Sequence, residues 1–313
     1  MTIDHKFIDQ FVNITSKAAV ASYNLIGKKD KIAADKATVD SMRNNLNQLN
    51  IKGKIVIGEG ELDEAPMLYI GEEVGTRNGP EIDIAVDPLE GTNFAANNLP
   101  GALSVIAIAE KNNLFNAPET YMEKISANVN EKGVVDLDYS TKENIFNLCE
   151  YLNKKPESIT ACIMDRPRHK DIIDELNILG VKIKLITDGD VSGALLVTDD
   201  KYGVDIFLGI GGGPEGVLAS AALDTFECSF QGRFLFHTEE DKRRANKMGI
   251  TNLSKKYELD EIVKGDSIFC ATGITSGDLV SGIITENNKF ITETLVTHKS
   301  TGLKKIIKKV VNR

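Results

Sequence analysis

Apolar residues near the start of the chain recur at spacings of three and four. Phe7, Phe11, Ile14, Ala18, Ala21 and Leu25 fall on one side of a helical period and predict an amphipathic first helix whose task is packing. A second helical pattern covers 31–49, with Ile32, Val39, Met42, Leu46 and Leu49 as its apolar stripe and Asp35 in the gap of that stripe. A carboxylate turned inward costs several kcal/mol unless a cation meets it, so Asp35 asks for a metal or for Lys31 one turn earlier. The period then shortens to that of strands. Runs at 54–57 and 84–86 predict short buried strands, the second closed by Pro88, and 102–109 predicts another. A helix is predicted over 144–152. From about 158 the pattern alternates: strand 159–164, helix 169–179, strand 181–186, helix 191–197 and strand 204–208. That is βαβαβ spacing and implies a parallel sheet. Further on come a basic helical stretch at 238–248 and strand-like runs at 268–271, 279–284 and 294–297. The Lys-rich end, 304–313, predicts a solvated tail or an edge strand. The whole is an α/β protein, α+β in its layering, with two subdomains, 1–150 and 151–313, meeting at a soft boundary.

Candidate chemistry sits where predicted strands stop. Asp87-Pro88-Leu89-Glu90-Gly91-Thr92 places two carboxylates and a hydroxyl on one tight turn, and hard divalent cations such as Mg²⁺ or Mn²⁺ want such oxygens. Taken alone, the stretch could equally be a solvated acidic turn. The strand at 54–57 repeats the design, running into Gly58-Glu59-Gly60-Glu61 and then Asp63-Glu64. Glycines there let the backbone turn while carboxylates share a cation, and without one the charges repel. In the βαβαβ region the strand ends carry Arg166-Pro167-Arg168, Asp188-Gly189-Asp190 and a glycine run ahead of Glu215. Ligands collect at this edge of a parallel sheet. Two arginines about a proline form a stiff bracket suited to phosphate, the alternative being a plain surface pair. The glycine run is no Walker loop, because G-K-[ST] is missing; it matches G-x-G-x-x-G formally, but Pro214 stiffens its centre and no ribose-binding acid follows.

A net charge of −9 over 313 residues argues against a nucleic-acid or anionic-membrane surface, so a phosphate substrate must be met by local cations. Cys149, Cys162, Cys228 and Cys270 stand far apart, as buried hydrophobes of a reducing compartment do. No run approaches membrane-spanning length and the start lacks a leader pattern, which together predict a cytoplasmic protein.

Eight stretches, in order, carry a resemblance over nearly the full chain. They are K-D-K-x-A-A-D-x-A at 29–37, G-K-I-V-I-G-E-G-E-x-D-E-A-P-M-L at 53–68, D-P-L-E-G-T, A-P-E-x-Y-M-E-K at 117–124, the R-P-R and D-G-D turns, G-G-G-P-E-G, and A-T-G-I-T-x-G-D-L at 271–279. Together they resemble the class II fructose-1,6-bisphosphatases of bacteria, within the lithium-sensitive sugar and inositol phosphatase superfamily. The resemblance implies that superfamily's layered sugar-phosphatase fold and hydrolysis of the 1-phosphate of fructose 1,6-bisphosphate in gluconeogenesis, with Mn²⁺ or Mg²⁺ as cofactor. It implies metal ligation by Asp35, Glu59, Asp87, Glu90, Glu215 and the Leu89 carbonyl. Substrate contacts fall at Glu90, Gly91, Thr92, Tyr121, Arg166, Pro167, Arg168, Asp188, Gly189, Asp190 and Gly212, and the catalytic residues at Thr92, Lys31 and Asp63. A homo-oligomer, dimer or tetramer, is implied by analogy. Asn93-Phe94 and the segment Arg233-Phe234-Leu235-Phe236-His237 depart from the family's pattern. Sedoheptulose 1,7-bisphosphate or inositol monophosphate as substrate, and a non-catalytic metal-binding module, stand as alternatives.

Overall fold

Helix α1 (Phe7–Ala21) buries Phe7, Phe11, Ile14 and Ala18, as its spacing predicts. The computed structural model describes residues 3–58 and 68–312. Helix α2 (Lys31–Leu46) starts from an N-cap at Asp30, whose carboxylate accepts from the Ala33 amide at 3.0 Å. It buries Ala34, Thr38, Val39, Met42 and Leu46. Ile32 is not on that stripe: it is 83% exposed, because the buried face begins two residues further along, at Ala34. Strands β1 (Lys52–Ile57), β2 (Glu73–Val74), β3 (Glu81–Glu90) and β4 (Leu103–Glu110) follow, β1 running parallel to β3 and β4 antiparallel to it. Pro88 does not end β3. Pairing with β4 slips between Asp87↔Val105 and Glu90↔Leu103, so Pro88 and Leu89 form a bulge where the missing proline N–H costs no ladder bond. The short helix α3 (Thr92–Asn97) comes next after the bulge.

After residue 116 the chain builds a second unit, 117–262. Its strands are β5 (Tyr121–Ala127), β6 (Thr160–Met164), β7 (Lys182–Ile186), β8 (Ile206–Gly212), β9 (Ser229–Leu235) and β10 (Lys256–Glu258). The sheet order is β10-β9-β5-β8-β6-β7. Strand β6 pairs parallel with both β7 and β8, as the alternating pattern predicts, while β5, β9 and β10 extend the sheet antiparallel. Helices α4 (Thr141–Leu152), α5 (Lys170–Ile178), α6 (Asp190–Leu195) and α7 (Gly213–Phe226) connect or flank these strands. A core of Ile125, Ile145, Leu148, Ile159, Leu176 and Ile206 holds the unit together.

From 263 the chain rejoins the first unit, which is therefore discontinuous: 116 and earlier with 263 and later. Strands β11 (Ser267–Gly273), β12 (Ile284–Glu286), β13 (Lys289–His298) and β14 (Leu303–Asn312) complete its sheet. The soft boundary expected near 150 lies instead at 116 and 262, because β11 pairs along its whole length with β4. The end of the chain is an edge strand. β14 pairs with β13 from His298↔Leu303 to Lys289↔Asn312, and its free edge carries the lysines that discourage further pairing. The apolar run at 279–284 is mostly loop. Leu279 and Val280 are buried, but Gly277 donates to the Val280 carbonyl at 3.0 Å, closing a turn where a strand was expected. Between α1 and the sheet lies a buried hydroxyl ladder in which Thr272 bonds Thr15 and Thr294 at 2.7 Å each, and Thr292 donates to Ser16 at 3.0 Å.

Candidate active site

In the first unit the bulge gathers the candidate residues. Asp87 lies at its start, partly exposed, and Glu90 at its end, 5% exposed. A bulge re-aims side chains that a regular strand would send to opposite faces. Gly91 has φ 75°, and a Cβ there would meet the Phe94 ring at 2.9 Å, so glycine is required on both counts. Thr92 then opens α3 with its hydroxyl donating to the Leu89 carbonyl at 3.2 Å. The candidate nucleophile-orienting hydroxyl and the candidate carbonyl ligand are thus adjacent. Gly27 and Lys29 donate their amides to the Ala95 and Ala96 carbonyls at 2.9 and 2.8 Å, which fixes the entry to α2 beside α3. Lys31 is exposed at the start of α2 and Asp35 is partly buried one turn on. Phe94, one of the departures from the family pattern, is the side chain that a Cβ at position 91 would meet.

Glu59 and Asp63 lie outside the described residues. Among the described residues, no three acidic, histidine or cysteine side chains form a group that could hold a metal ion by themselves. The donors present, Asp35, Asp87, Glu90 and the Leu89 carbonyl, are all oxygens, which is the chemistry a hard divalent cation takes.

In the second unit, parallel pairing brings the carboxyl ends of β6, β7 and β8 to one edge. Arg166, Pro167 and Arg168 follow β6, Asp188, Gly189 and Asp190 follow β7, and Gly212 ends β8. Arg168 is held firmly. Its Nε and Nη2 both donate to the Ile210 carbonyl, at 3.0 and 2.7 Å, and its guanidinium sits 5.0 Å from the centre of the Tyr121 ring. Tyr121 in turn meets the edge of His237 at 6.4 Å, so the second departure from the family pattern shapes the surroundings of this tyrosine. Arg166 bonds only its neighbour's carbonyl, Asp165, at 2.9 Å among the contacts described.

Buried His169 ties these ends together. Its Nδ1 lies 2.6 Å from the Met164 carbonyl and its Nε2 accepts from the Ile210 amide at 2.8 Å, an arrangement that requires the neutral Nδ1–H tautomer. Burial holds its pKa below the ordinary histidine value. Asp190 is also buried, and its Oδ2 accepts from Lys124. Glu215 lies in the first turn of α7; part of the residue is accessible, but its carboxyl is enclosed, and burial pushes it above the usual carboxylate range against the pull of Lys124. The pattern of residues gave Lys124, His169 and His237 no role in the site. A lysine in phase with Met122 on a buried strand was the one available signal.

The family model described as bacterial fructose-1,6-bisphosphatase, glpX-encoded, matches residues 5–311. A relative from Synechococcus sp. (strain CC9902), named D-fructose 1,6-bisphosphatase class 2/sedoheptulose 1,7-bisphosphatase, is 43% identical over 308 residues, covering 94% of this chain and 92% of the relative. One of the same name from Prochlorococcus marinus (strain MIT 9301) is 42% identical over 308 residues with the same coverages. Among solved structures, an inositol monophosphatase from Anabaena (Nostoc) sp. PCC 7120 aligns with TM-score 0.31 at 12% identity, over 61% of this chain and 69% of that one, a likeness too distant to bear on substrate. The matched span takes in the candidate residues of each unit, and the chain belongs to the glpX-type, class II family of bacterial fructose-1,6-bisphosphatases, an enzyme family of metal-dependent phosphatases.

Proposed function

We propose that this chain hydrolyses the 1-phosphate ester of fructose 1,6-bisphosphate, giving fructose 6-phosphate and inorganic phosphate, with Mn²⁺ or Mg²⁺ as cofactor. The observation that supports the reading is the bulge at Pro88–Leu89, with Asp87 at its start, Glu90 at its end and the Thr92 hydroxyl bonded to the Leu89 carbonyl within it. Asp35, Asp87, Glu90, Glu215 and the Leu89 carbonyl would hold the cation, together with Glu59. Bound there, the cation supplies charge neutralisation at the phosphate and acidifies the attacking water.

Thr92 orients that water. Its proton is committed to the Leu89 carbonyl, so the hydroxyl oxygen is free to accept from water, and the acidic neighbours can take the proton onward. Lys31 and Asp63 are assigned to the same chemistry. Arg166 and Arg168, with the Tyr121 phenol, bind the distal phosphate. Two of the five guanidinium N–H bonds of Arg168 go to Ile210, which leaves the Nη1 edge for an anion already oriented. Asp188, Gly189, Asp190 and Gly212 are assigned to the sugar. Cytoplasmic residence is our reading too, supported by four buried cysteines far apart in the sequence; among the described residues no helix is long and apolar enough to cross a membrane. A dimer or tetramer is expected, and sedimentation would decide it.

The test is phosphate release by the purified chain from fructose 1,6-bisphosphate, sedoheptulose 1,7-bisphosphate and inositol monophosphate. Highest catalytic efficiency on the first supports the reading. Two relatives carry both bisphosphates in their names, so appreciable release from sedoheptulose 1,7-bisphosphate fits as a second activity. Preference for inositol monophosphate overturns the sugar assignments.

A further inference from the structure

Lys124 is 1% exposed on β5, and among the described residues it is the one lysine or arginine in the buried set. Burying an ammonium costs several kcal/mol unless acceptors surround it, and an apolar side chain of the same length would pack there at no such cost. The acceptors are all at the candidate site. Lys124 donates to Asp190 Oδ2 and, at 2.8 Å, to the Gly212 carbonyl. Its charge also acts on the Glu215 carboxyl.

The backbone is moulded around this pair. A Cβ at Gly211 would lie 1.8 Å from Asp190 Oδ2 and 3.0 Å from Lys124 Nζ; one at Gly216 would lie 3.2 Å from Lys124 Cδ. A Cβ at Gly212 would strike Glu215 Oε2 at 1.8 Å. The turn from β8 into α7 therefore wraps the lysine and returns Glu215 against its own backbone. The other Asp190 oxygen, Oδ1, is buried with no protein partner, so Lys124 is what fixes this carboxylate from the protein side.

We propose that Lys124 is a positioning residue. By holding the Gly212 carbonyl and the Asp190 carboxylate, it sets the path of the 211–215 turn, and with it the place of Glu215 for the cation and of Gly212 for the substrate. The inference rests on the proposed function in taking Glu215 as a metal ligand.

The experiment substitutes Lys124→Met and titrates metal-stripped protein with Mn²⁺, reading free hydrated Mn²⁺ by its paramagnetic resonance signal well below the unfolding temperature, alongside thermal unfolding and phosphate release. Loss of a group that orients a ligand typically weakens metal binding about 10–100-fold. We expect that shift in the folded variant, together with lowered turnover. Parental Mn²⁺ affinity in folded Lys124→Met, whatever its melting temperature, would assign Lys124 to stability alone and overturn the proposal. Should Lys124→Met not fold, Lys124→Met/Asp190→Asn is compared with Asp190→Asn: about tenfold or more weaker Mn²⁺ binding in the double variant sustains it, and equal binding overturns it. A parent that binds no Mn²⁺ defeats the functional reading itself, and this proposal with it.

Discussion

Replacing His169 with Leu strands two backbone groups at once. The Met164 carbonyl loses a donor at 2.6 Å and the Ile210 amide loses an acceptor at 2.8 Å. An unsatisfied buried polar group costs about 1–3 kcal/mol, and with Ile210 partly exposed the expected loss is roughly 2–4 kcal/mol. The effect reaches the arginine bracket, because Ile210 is also the residue whose carbonyl orients Arg168. Glycine at 209 leaves no slack: a Cβ there would lie 3.0 Å from His169 Nε2. His169 also gives stability a pH dependence whose sign is fixed. Its native pKa is held below the ordinary value of about 6.5. Above that value both states are neutral and the contribution is complete. As pH falls below it, the unfolded chain takes up a proton that the native site resists, so stability declines down to the native pKa, at up to about 1.4 kcal/mol per pH unit. Urea unfolding of the parent and of His169→Asn, whose amide offers a donor and an acceptor without titrating, measures this. A pH dependence below 6.5 that is equally steep in the two proteins would refute the assignment, and a His169→Leu loss below about 1 kcal/mol would refute the bond count.

Three other substitutions follow. Thr92→Ala should lower kcat by roughly 10²–10³ with little change in KM, in steady-state phosphate release, since the hydroxyl serves water rather than substrate. Arg168→Lys should raise KM about tenfold or more while kcat changes less, because an ammonium cannot hold the Ile210 carbonyl by two bonds and still face an anion. Gly211→Ala places a methyl 1.8 Å from Asp190 Oδ2 and should destabilise by about 1–3 kcal/mol or more in denaturant unfolding, as overpacking does.

Local periodicity revealed α1, the alternating strands and helices of the second unit, and the habit of strands ending in turns that carry charged residues, because these are properties of neighbouring residues. It failed where distant segments decide. The return of β11 to pair with β4 is a long-range register, invisible in either run alone, and it moved the unit boundaries from 150 to 116 and 262. Pro88 was a strand terminator by its chemistry, but the partner strand absorbed it in a bulge. Leu279 and Val280 have strand composition yet sit in a tight loop, buried without a ladder. Lys124 has no role legible in its motif because a lysine's default is the surface; only the convergence of Asp190 and the Gly212 carbonyl makes its burial intelligible. The roles proposed for Asp35, Asp87 and Glu90 rest on motif resemblance, and their places on α2 and around the bulge on the fold.

The most direct test of the central claim is to strip the protein with chelator, add back Mn²⁺ or Mg²⁺, and follow fructose 1,6-bisphosphate by phosphorus NMR. The account predicts no turnover in chelator and, on adding metal, loss of the 1-phosphate resonance with equal gain of inorganic phosphate, the 6-phosphate signal persisting as fructose 6-phosphate. Turnover that survives metal removal, or release of the 6-phosphate first, would contradict it.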